Sequence, residues 1–342
     1  AAPTKKSSAK SSARAQEDPT TEEPTRPVLS AEAAASQQKV LGIFQTAFDE
    51  ALSSAGFAQT LQEVKSALYD RDFGRAFGRE EYLEVYAARW SPTRALAYAA
   101  ALEGLREWLG GIAASETTPA RVRSGSKTLK LLALGGGTAE LAAFASFLST
   151  SPGTSGDITL LDTGPWGGAV NKLRDSLLIA PPIYKYASAA AKAANTPLVG
   201  PGQLQHTFLQ QDILALSADK LREILGVEPL LVTLLFTLNE LYTGGGIGKT
   251  TSFLRSLSKA VPAGSLLLVV DSPGSYSEAA VGGKEKKKYP MSWLMNHTLE
   301  EIEEGCQWEK LEENESVWFR LADDLKYPIQ LENMRYQIHL YR

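Results

Sequence analysis

The stretch LKLLALGGGT, residues Leu129 to Thr138, decides the fold of this chain. A mostly apolar run enters three consecutive glycines, and apolar residues at helical spacing follow, among them Leu141, Phe144 and Leu148. This order is typical of a buried strand, a tight turn and a helix, a geometry in which backbone N–H groups and a helix N terminus face a polar ligand. Glycines suit such a turn because a Cβ would block the ligand's approach and because the turn could require a positive φ. The stretch therefore predicts a ligand-binding strand–turn–helix unit.

Short apolar runs alternate with helical patterns from residue 127 onward, which is the pattern of a parallel sheet with crossover helices. Five runs predict a doubly wound α/β sheet, and two later runs without a long helical pattern between them predict an antiparallel pair at its edge. The predicted parallel strands are Leu129–Leu134, Ile158–Asp162, His206–Gln210, Leu230–Phe236 and Ser265–Asp271, and the predicted antiparallel strands are Ser316–Leu321 and Tyr336–Tyr341.

Composition divides the chain into four segments. Residues 1–29 are rich in Ala, Ser, Thr, Pro and Lys, so we expect a disordered tail, whose basic half could alternatively be an import signal or an RNA-contacting arm. Residues 30–116 have apolar spacings of three and four and predict an all-helical domain. Residues 117–126 predict a linker, and residues 127–342 form the predicted sheet domain.

Charge and cysteine usage exclude several classes of protein. With 35 Lys and Arg against 39 Asp and Glu, the net charge of -4 gives no whole-molecule positive field for nucleic acid. The single cysteine, Cys306, excludes a disulfide framework, and the three histidines lack metal-ligand spacing, so we expect no metal. No apolar run approaches the roughly 18 to 20 residues that span a bilayer. We therefore expect a soluble intracellular protein without membrane contact.

Acidic residues follow two neighbouring predicted strands. Asp162 ends the second strand, about where a carboxylate accepts hydrogen bonds from a cofactor ribose, and Asp212 follows the third strand. The carboxyl ends of parallel strands share one edge, so both side chains are expected in the same crevice. Either aspartate alone could equally cap a turn.

Two nucleotide-binding patterns are incomplete. The dinucleotide fingerprint needs a third glycine where this chain has Glu140, which counts against NAD or FAD. The segment TGGGIGKT, Thr243 to Thr250, resembles a phosphate-binding loop but starts with threonine where glycine is needed. A helix that begins after a flexible turn is the better interpretation of this segment.

The order of glycine loop, two strand-end acids and a closing antiparallel pair resembles the class I S-adenosylmethionine-dependent methyltransferases, over about Lys127–Arg342. One departure is Ala133, where these enzymes often carry an acid. The resemblance implies S-adenosylmethionine as the cofactor and a Rossmann-like sheet. It implies cofactor contacts from Gly135, Gly136 and Gly137 at the methionine part, Asp162 at the ribose, Asp212 at the adenine, and Gln211 and Phe236.

The catalytic segment of such folds follows the fourth strand, here FTLNELY, Phe236 to Tyr242. Asn239 could orient an acceptor and Glu240 could take a proton, or the segment could be an ordinary helix start with Asn239 as cap. The Asn/Asp-Pro-Pro-Tyr motif of exocyclic-amine methyltransferases is absent. Cys306 falls in Glu300–Glu313, an acidic stretch predicted to be helical and away from the cofactor, so the cysteine-dependent methylation of pyrimidine carbon is not expected.

Three longer stretches, Tyr82–Tyr98, Lys287–Leu294 and Leu331–Tyr341, look like the fungal 25S ribosomal RNA (uridine-N3)-methyltransferase family, and the resemblance extends over most of Ser30–Arg342. It implies methylation of N3 of a uridine, ribosomal RNA or a pre-60S particle as partner, and a location in the nucleus, nucleolus and cytoplasm. Two alternatives stay open: a non-catalytic ribosome-assembly factor with this fold, and a protein or small-molecule methyltransferase.

The same resemblance gives basic and aromatic residues a role in RNA binding, since guanidinium and ammonium groups contact phosphate and aromatic rings stack on bases. Trp90 could instead be a helix-packing aromatic, and the lysines could be a solvated turn. The candidate RNA contacts are Arg89, Trp90, Arg94, Lys286, Lys287, Lys288 and Trp293.

Overall fold

The computed structural model of the protein describes residues 29–113, 127–183, 185–274, 276–279, 287–300 and 308–342. Within the described ranges, seven helices precede the first strand: α1 Ala31–Ala47, α2 Asp49–Ser53, α3 Phe57–Tyr69, α4 Phe73–Phe77, α5 Glu80–Arg89, α6 Ser91–Gly104 and α7 Arg106–Ala113. The later helices are α8 Thr138–Ser149, α9 Gly167–Leu177, α10 Ala189–Ala194, α11 Ala218–Leu225, α12 Leu238–Glu240, α13 Ile247–Ala260 and α14 Met291–Glu300. The strands are β1 Lys127–Leu134, β2 Thr154–Asp162, β3 Leu204–Gln210, β4 Leu231–Leu235, β5 Leu266–Asp271, β6 Tyr276–Ala279, β7 Lys287–Pro290, β8 Lys310–Phe319 and β9 Met334–Tyr341.

Seven strands form one sheet in the order β3-β2-β1-β4-β5-β9-β8. The first five strands of that order are parallel, while β9 runs antiparallel to both β5 and β8. The chain order reverses between β1 and β4, which is where open α/β sheets bind ligands. The predicted doubly wound sheet with its antiparallel edge pair is confirmed.

The burial of each strand explains its sequence pattern. Every residue of β4 and β5 is buried, and all are apolar except Thr233 and Asp271, so each strand forms a nearly continuous apolar run in the sequence. In contrast, β8 is an edge strand with mostly exposed residues and begins at Lys310 instead of the predicted Ser316. Its first residues are charged because they face solvent, so they carry no apolar signal. The predicted helix over Glu300–Glu313 is therefore wrong from Lys310 onward, and Cys306 lies outside the described residues.

The early helices share a core with one face of the sheet. Phe44 in α1 and Tyr98 in α6 belong to the same buried cluster as Leu131 in β1 and Phe144 in α8. The opposite face is covered by α11, α13 and α14 around a second cluster. The predicted linker and nearly all of the predicted tail lie outside the described residues, so the division into domains stays a prediction.

The connection between β8 and β9 is tied to the early helices. Gln38 in α1 exchanges two hydrogen bonds of 2.9 and 2.8 Å with the backbone of Lys326. The Tyr327 hydroxyl donates to the Ala88 carbonyl at 2.8 Å. These contacts hold α1 and α5 beside the carboxyl edge of the sheet.

A two-stranded hairpin follows β5 and was not predicted. Its strands β6 and β7 pair antiparallel, with Tyr276 opposite Pro290. Because β5 ends at the carboxyl edge, the hairpin emerges at that edge. The helix α13 begins at Ile247 after a π-helical turn over Leu241–Gly245, which confirms the predicted helix start after a flexible turn.

Candidate active site

The glycine turn is packed against protein atoms. Gly135 has φ +72°, and a Cβ there would lie 2.3 Å from the Thr237 hydroxyl oxygen. A Cβ at Gly136 would lie 2.5 Å from the Ala133 Cβ, and one at Gly137 would lie 3.1 Å from the Trp166 ring. The positive φ of Gly135 confirms one of the two reasons that the sequence offers for glycine in this turn, and ligand approach stays a prediction. The close neighbours add a third reason, because only glycines let the turn sit tightly against Ala133, Trp166 and Thr237.

The N terminus of α8 is occupied by a side chain. Glu140 accepts a hydrogen bond from the Gly137 N–H at 2.7 Å, and burial raises the pKa of its carboxyl to about 7. A carboxyl therefore stands where a dinucleotide would place its pyrophosphate. This geometry agrees with the interpretation against NAD and FAD.

A cavity opens at the carboxyl ends of β1, β2 and β4, and residues from α4 to α6 enclose it. Its walls combine buried acids, aromatic rings and the glycine turn. The lining residues are Phe77, Tyr86, Ser91, Arg94, Gly135, Gly137, Thr138, Ala139, Glu140, Asp162, Trp166, Leu235, Phe236, Thr237 and Glu240.

Arg94 projects from α6 into this cavity. Its guanidinium carbon lies 4.7 Å from the ring centroid of Phe236 and 5.4 Å from that of Tyr86, and it donates a hydrogen bond to the Tyr86 hydroxyl. Burial opposes its charge, but neighbouring tyrosines and glutamates outweigh burial and raise its pKa further. Within the described residues, no carboxylate forms an ion pair with Arg94.

Phe236 follows β4 in the left-handed region, with φ +59°. A non-glycine residue in that region is strained, and such strain persists only where neighbours hold it. Here its N–H donates to the Val270 carbonyl at 2.7 Å, and the Arg94 guanidinium covers its ring. The strained bend turns the chain from β4 directly into α12, which carries Glu240.

Four buried acids lie in or beside this cavity. Burial raises the pKa of Glu240 to about 8, and it raises the pKa of both Asp162 and Asp271 to about 6. Glu140 is the fourth acid, and Asp271 is the one that does not line the cavity. Among the described residues that line the cavity, three carboxyl groups thus accompany one guanidinium, so the site favours a ligand that carries positive charge.

The hydrogen bonds of Asp162 and Asp271 fix both carboxyls. Asp162 accepts the Gly164 N–H at 2.7 Å and the Trp166 indole N–H. Asp271 accepts the Asn239 N–H at 3.0 Å. Asp162 therefore caps a turn, as the alternative interpretation had it, and also lines the cavity.

The residues predicted for the cofactor separate into two groups. Gly135, Gly137, Asp162 and Phe236 line the cavity, as does the predicted catalytic Glu240, while Gly136 belongs to the same turn. Gln211 and Asp212 lie past the end of β3 and do not line this cavity. Asp212 is exposed and caps the short turn Ile213–Ala215 by accepting the Leu214 N–H at 2.9 Å.

Two side-chain oxygens in the region lack a partner. Asn239 Oδ1 and Gln211 Oε1 are buried without a hydrogen bond. Asn239 lies inside α12, whose cap position is Thr237, so Asn239 is not a helix cap. A buried unpaired acceptor is costly and is an available partner for a ligand's donor.

The predicted RNA contacts have three kinds of placement. Arg89 is only 7% exposed and forms an ion pair of 2.5 Å with Glu332, so its guanidinium is not a surface group. Trp90 is half-buried, and its ring centroid lies 4.9 Å from that of Tyr86. This placement agrees with the alternative that Trp90 is a helix-packing aromatic. Arg94 lies in the cavity instead of on an RNA-facing surface.

The lysine segment is only partly described. Lys286 lies outside the described residues, and Lys287 and Lys288 lie in β7 opposite Ala279 and Glu278. Trp293 is 50% exposed and stacks on Tyr289 and His297, with ring centroids 5.4 and 5.2 Å away.

Sequence reasoning missed Tyr86, Trp166 and Asp271. Asp271 had a usable signal, because it ends the predicted fifth strand just as Asp162 ends the second. Tyr86 and Trp166 come from distant segments and meet with ring centroids 5.8 Å apart, so no local pattern marks them.

The residues present fit S-adenosylmethionine, which carries a sulfonium, an ammonium and a carboxylate but no phosphate. The acid-lined cavity suits the two cations, and the Arg94 guanidinium suits the carboxylate. Among the described side chains, no group of three or more His, Cys, Asp and Glu could hold a metal ion. No helix in the described ranges is long and apolar enough to cross a membrane.

The strand order and the cavity at the β1–β4 switch point define a class I methyltransferase. A sequence profile of the family described as "SAM-dependent methyltransferase" matches residues 44–342, and the chain belongs to this family. It is an S-adenosylmethionine-dependent methyltransferase.

The chain is similar to several individual proteins. The 25S rRNA (uridine(2843)-N(3))-methyltransferase of Saccharomyces cerevisiae is 29% identical over 335 residues, covering 89% of this chain and 85% of the relative. A methyltransferase structure from Leishmania major is 11% identical, with a TM-score of 0.37 over 84% of this chain and 82% of that chain. The structure of DhpI with SAH is 13% identical, with a TM-score of 0.32 over 74% of this chain and 96% of that chain.

Proposed function

We propose that this protein transfers a methyl group from S-adenosylmethionine to N3 of a uridine in large-subunit ribosomal RNA. The observation that carries the proposal is the position of Glu240, a carboxyl with a pKa near 8 in the wall of the cofactor cavity. The similarity to the yeast 25S rRNA (uridine-N3)-methyltransferase supports the substrate class.

The cofactor contacts are proposed from the cavity outward. S-adenosylmethionine supplies an electrophilic methyl group when it is bound. Arg94 holds the carboxylate of its methionine part, and Asp162 holds the ribose hydroxyls. Gln211 and Asp212 contact the adenine from the end of β3.

Glu240 handles the proton of the reaction. N3 of neutral uracil carries a proton, so methylation requires a base. A base is most effective when its pKa lies near the working pH, and burial brings the pKa of Glu240 into that range. Asn239, with an unpaired side-chain oxygen, is free to hydrogen-bond the uracil edge and orient it.

The partner proposed for this activity is ribosomal RNA, within a pre-60S particle, which places the protein in the nucleus or nucleolus and in the cytoplasm. The proposed RNA contacts remain Lys286, Lys287, Lys288 and Trp293. All four follow β5 in the sequence, and β5 ends at the edge where substrate must enter. The exposed ring of Trp293 supports base stacking.

The test is to map N3-methyluridine by mass spectrometry in ribosomal RNA from cells that lack the protein. We expect one modified uridine to disappear, and wild type or the surface variant Glu223→Gln to restore it. Glu240→Gln should not restore it, although it should still bind cofactor in calorimetry. An unchanged N3-methyluridine map in the deleted cells would exclude this function.

A further inference from the structure

Three side chains at the end of β8 and the start of β9 form a surface feature, the Trp318 patch, that the cofactor site does not use. Trp318 is 50% exposed, and it lies opposite Arg335 in the strand ladder. The guanidinium carbons of Arg320 and Arg335 lie 4.7 and 5.6 Å from the centroid of its ring. The patch thus consists of one indole and two guanidiniums.

The charge of both arginines is available to an anionic ligand. Arg335 Nε donates to the Ser316 hydroxyl at 2.8 Å, which leaves its terminal nitrogens for another partner. In the described part of the chain, neither Arg320 nor Arg335 pairs with a carboxylate. Exposed arginines elsewhere do so, as Arg222 does with Asp219 at 2.9 Å. Two unpaired guanidiniums beside one half-exposed indole make an anion-binding surface with an aromatic component.

The patch lies at the same edge of the sheet as the cofactor cavity. Asp271, the last residue of β5, is opposite Gln337 in β9, and Arg335 is two residues further toward that edge. The strand order from the cavity is β4, β5, β9, β8. With about 4.8 Å between neighbouring strands, the patch lies roughly 14 Å across the sheet from the end of β4.

This combination fits single-stranded RNA. Guanidiniums contact phosphates, and guanidinium planes and indole rings stack on unpaired bases. The chain has a net charge of -4, so an RNA strand is held only where cations are locally concentrated. Charged residues also protect an edge strand from pairing with another chain, but that role does not require an exposed tryptophan.

We infer that the Trp318 patch binds the single-stranded RNA that flanks the methylated uridine. The inference rests on the proposed function and extends it. The target base occupies the cavity near Glu240, and the adjoining nucleotides cross the ends of β5 and β9 to reach Trp318. The patch thereby fixes the register of the strand without contacting the reacting base.

The experiment uses the full chain and a fluorescein-labelled 25S rRNA fragment that contains the mapped uridine, titrated between 50 and 200 mM KCl. Wild type is compared with Arg320→Ala/Arg335→Ala, with Trp318→Ala, and with Arg222→Ala as a matched surface control. Cofactor affinity and melting temperature are measured for every variant, because unchanged values show that the fold is intact.

We expect the double arginine variant to lower the salt slope of RNA binding by about 1.4, since each phosphate contact on a single strand contributes about 0.7. Trp318→Ala should weaken RNA binding by roughly tenfold, the scale of one lost base stack, while Arg222→Ala should bind as wild type does. If wild type methylates the fragment and both patch variants keep its affinity and salt slope, the patch is only a structural feature. If wild type binds cofactor but neither binds nor methylates the fragment, the proposed function fails as well.

Discussion

The two ends of the region where we propose cofactor contacts differ in how far protein encloses them. At the β1–β4 end, Arg94 and Glu240 lie under α4 to α6, and burial raises the pKa of Glu240 to about 8. At the β3 end, Asp212 is exposed and caps a turn. Both ends carry acids that follow strands, so strand position alone does not set their properties. The early helices set the properties of these acids, because they exclude water from one end only.

Enclosure makes the charges at the first end depend on a ligand. A buried acid without a cation is costly in its ionised form, so a bound cation stabilises it strongly. An exposed acid such as Asp212 is already stabilised by water and gains little. Binding energy should therefore be concentrated at the enclosed end.

The largest expected effect is from Arg94→Ala. Removing the cation leaves a bound carboxylate unpaired in an enclosed site, which costs about 2 kcal/mol or more, roughly a 30-fold loss of S-adenosylmethionine affinity. Isothermal titration calorimetry measures it. The matched control is Arg89→Ala, five residues earlier, which breaks the ion pair with Glu332 and should lower stability without changing cofactor affinity. Equal affinity of Arg94→Ala and wild type would contradict the assignment.

The second effect is a dependence of stability on pH in the cofactor-free protein. The folded pKa values of Glu140, Asp162, Glu240 and Asp271 are raised to about 7, 6, 8 and 6. The folded chain thus holds protons that the unfolded chain has already released above about pH 4. The free energy of unfolding should be highest below pH 4, where the folded chain keeps this whole contribution, and it should fall as the pH rises toward 8.

Urea unfolding at pH 5 and pH 8 measures this change, of which Glu240 alone should contribute about 3 kcal/mol, with further loss from the other three acids. Glu240→Gln should reduce the change, whereas Glu223→Gln at an exposed position of α11 should leave it unaltered. A protein equally stable at both pH values would show that the enclosed acids are not held in their protonated form.

The smallest effects compare two aspartates directly. Asp162→Ala should weaken cofactor binding by about tenfold, the scale of one charge-assisted hydrogen bond. Asp212→Ala should weaken it by only about threefold, because its exposed carboxylate is well hydrated. Calorimetry on both variants at pH 7.5 decides the order, and a larger loss at Asp212 would reverse the contrast between the two ends.

The parts of the fold that bury apolar residues were predictable from the sequence. Apart from Thr233 and Asp271, strands β4 and β5 are apolar, so the sequence predicts their bounds within a residue or two. The beginning of β8 was not marked, because an edge strand exposes its charged residues to water. The hairpin of β6 and β7 was also missed, since it is a separate two-stranded sheet with no long apolar run.

Position after a strand end predicted some of the residues that line the cavity. Asp162 and Glu240 were selected in this way and do line it, but Asp212 was selected by the same rule and does not. The two arginines show what the sequence leaves open, because Arg89 and Arg94 lie five residues apart in adjoining helices. One pairs with Glu332 and the other enters the cavity, and only packing decides which guanidinium points inward.

The hydrogen bonds between the early helices and the connection before β9 also have a consequence during protein synthesis. Gln38, Ala88 and Arg89 have their partners at Lys326, Tyr327 and Glu332, more than 230 residues later in the chain. Chains emerge from the ribosome from their N terminus, so α1 and α5 must wait for residues 326 to 332 before these contacts can form. The helices that enclose the cavity therefore gain these contacts only after all strands from β1 to β8 have been synthesised.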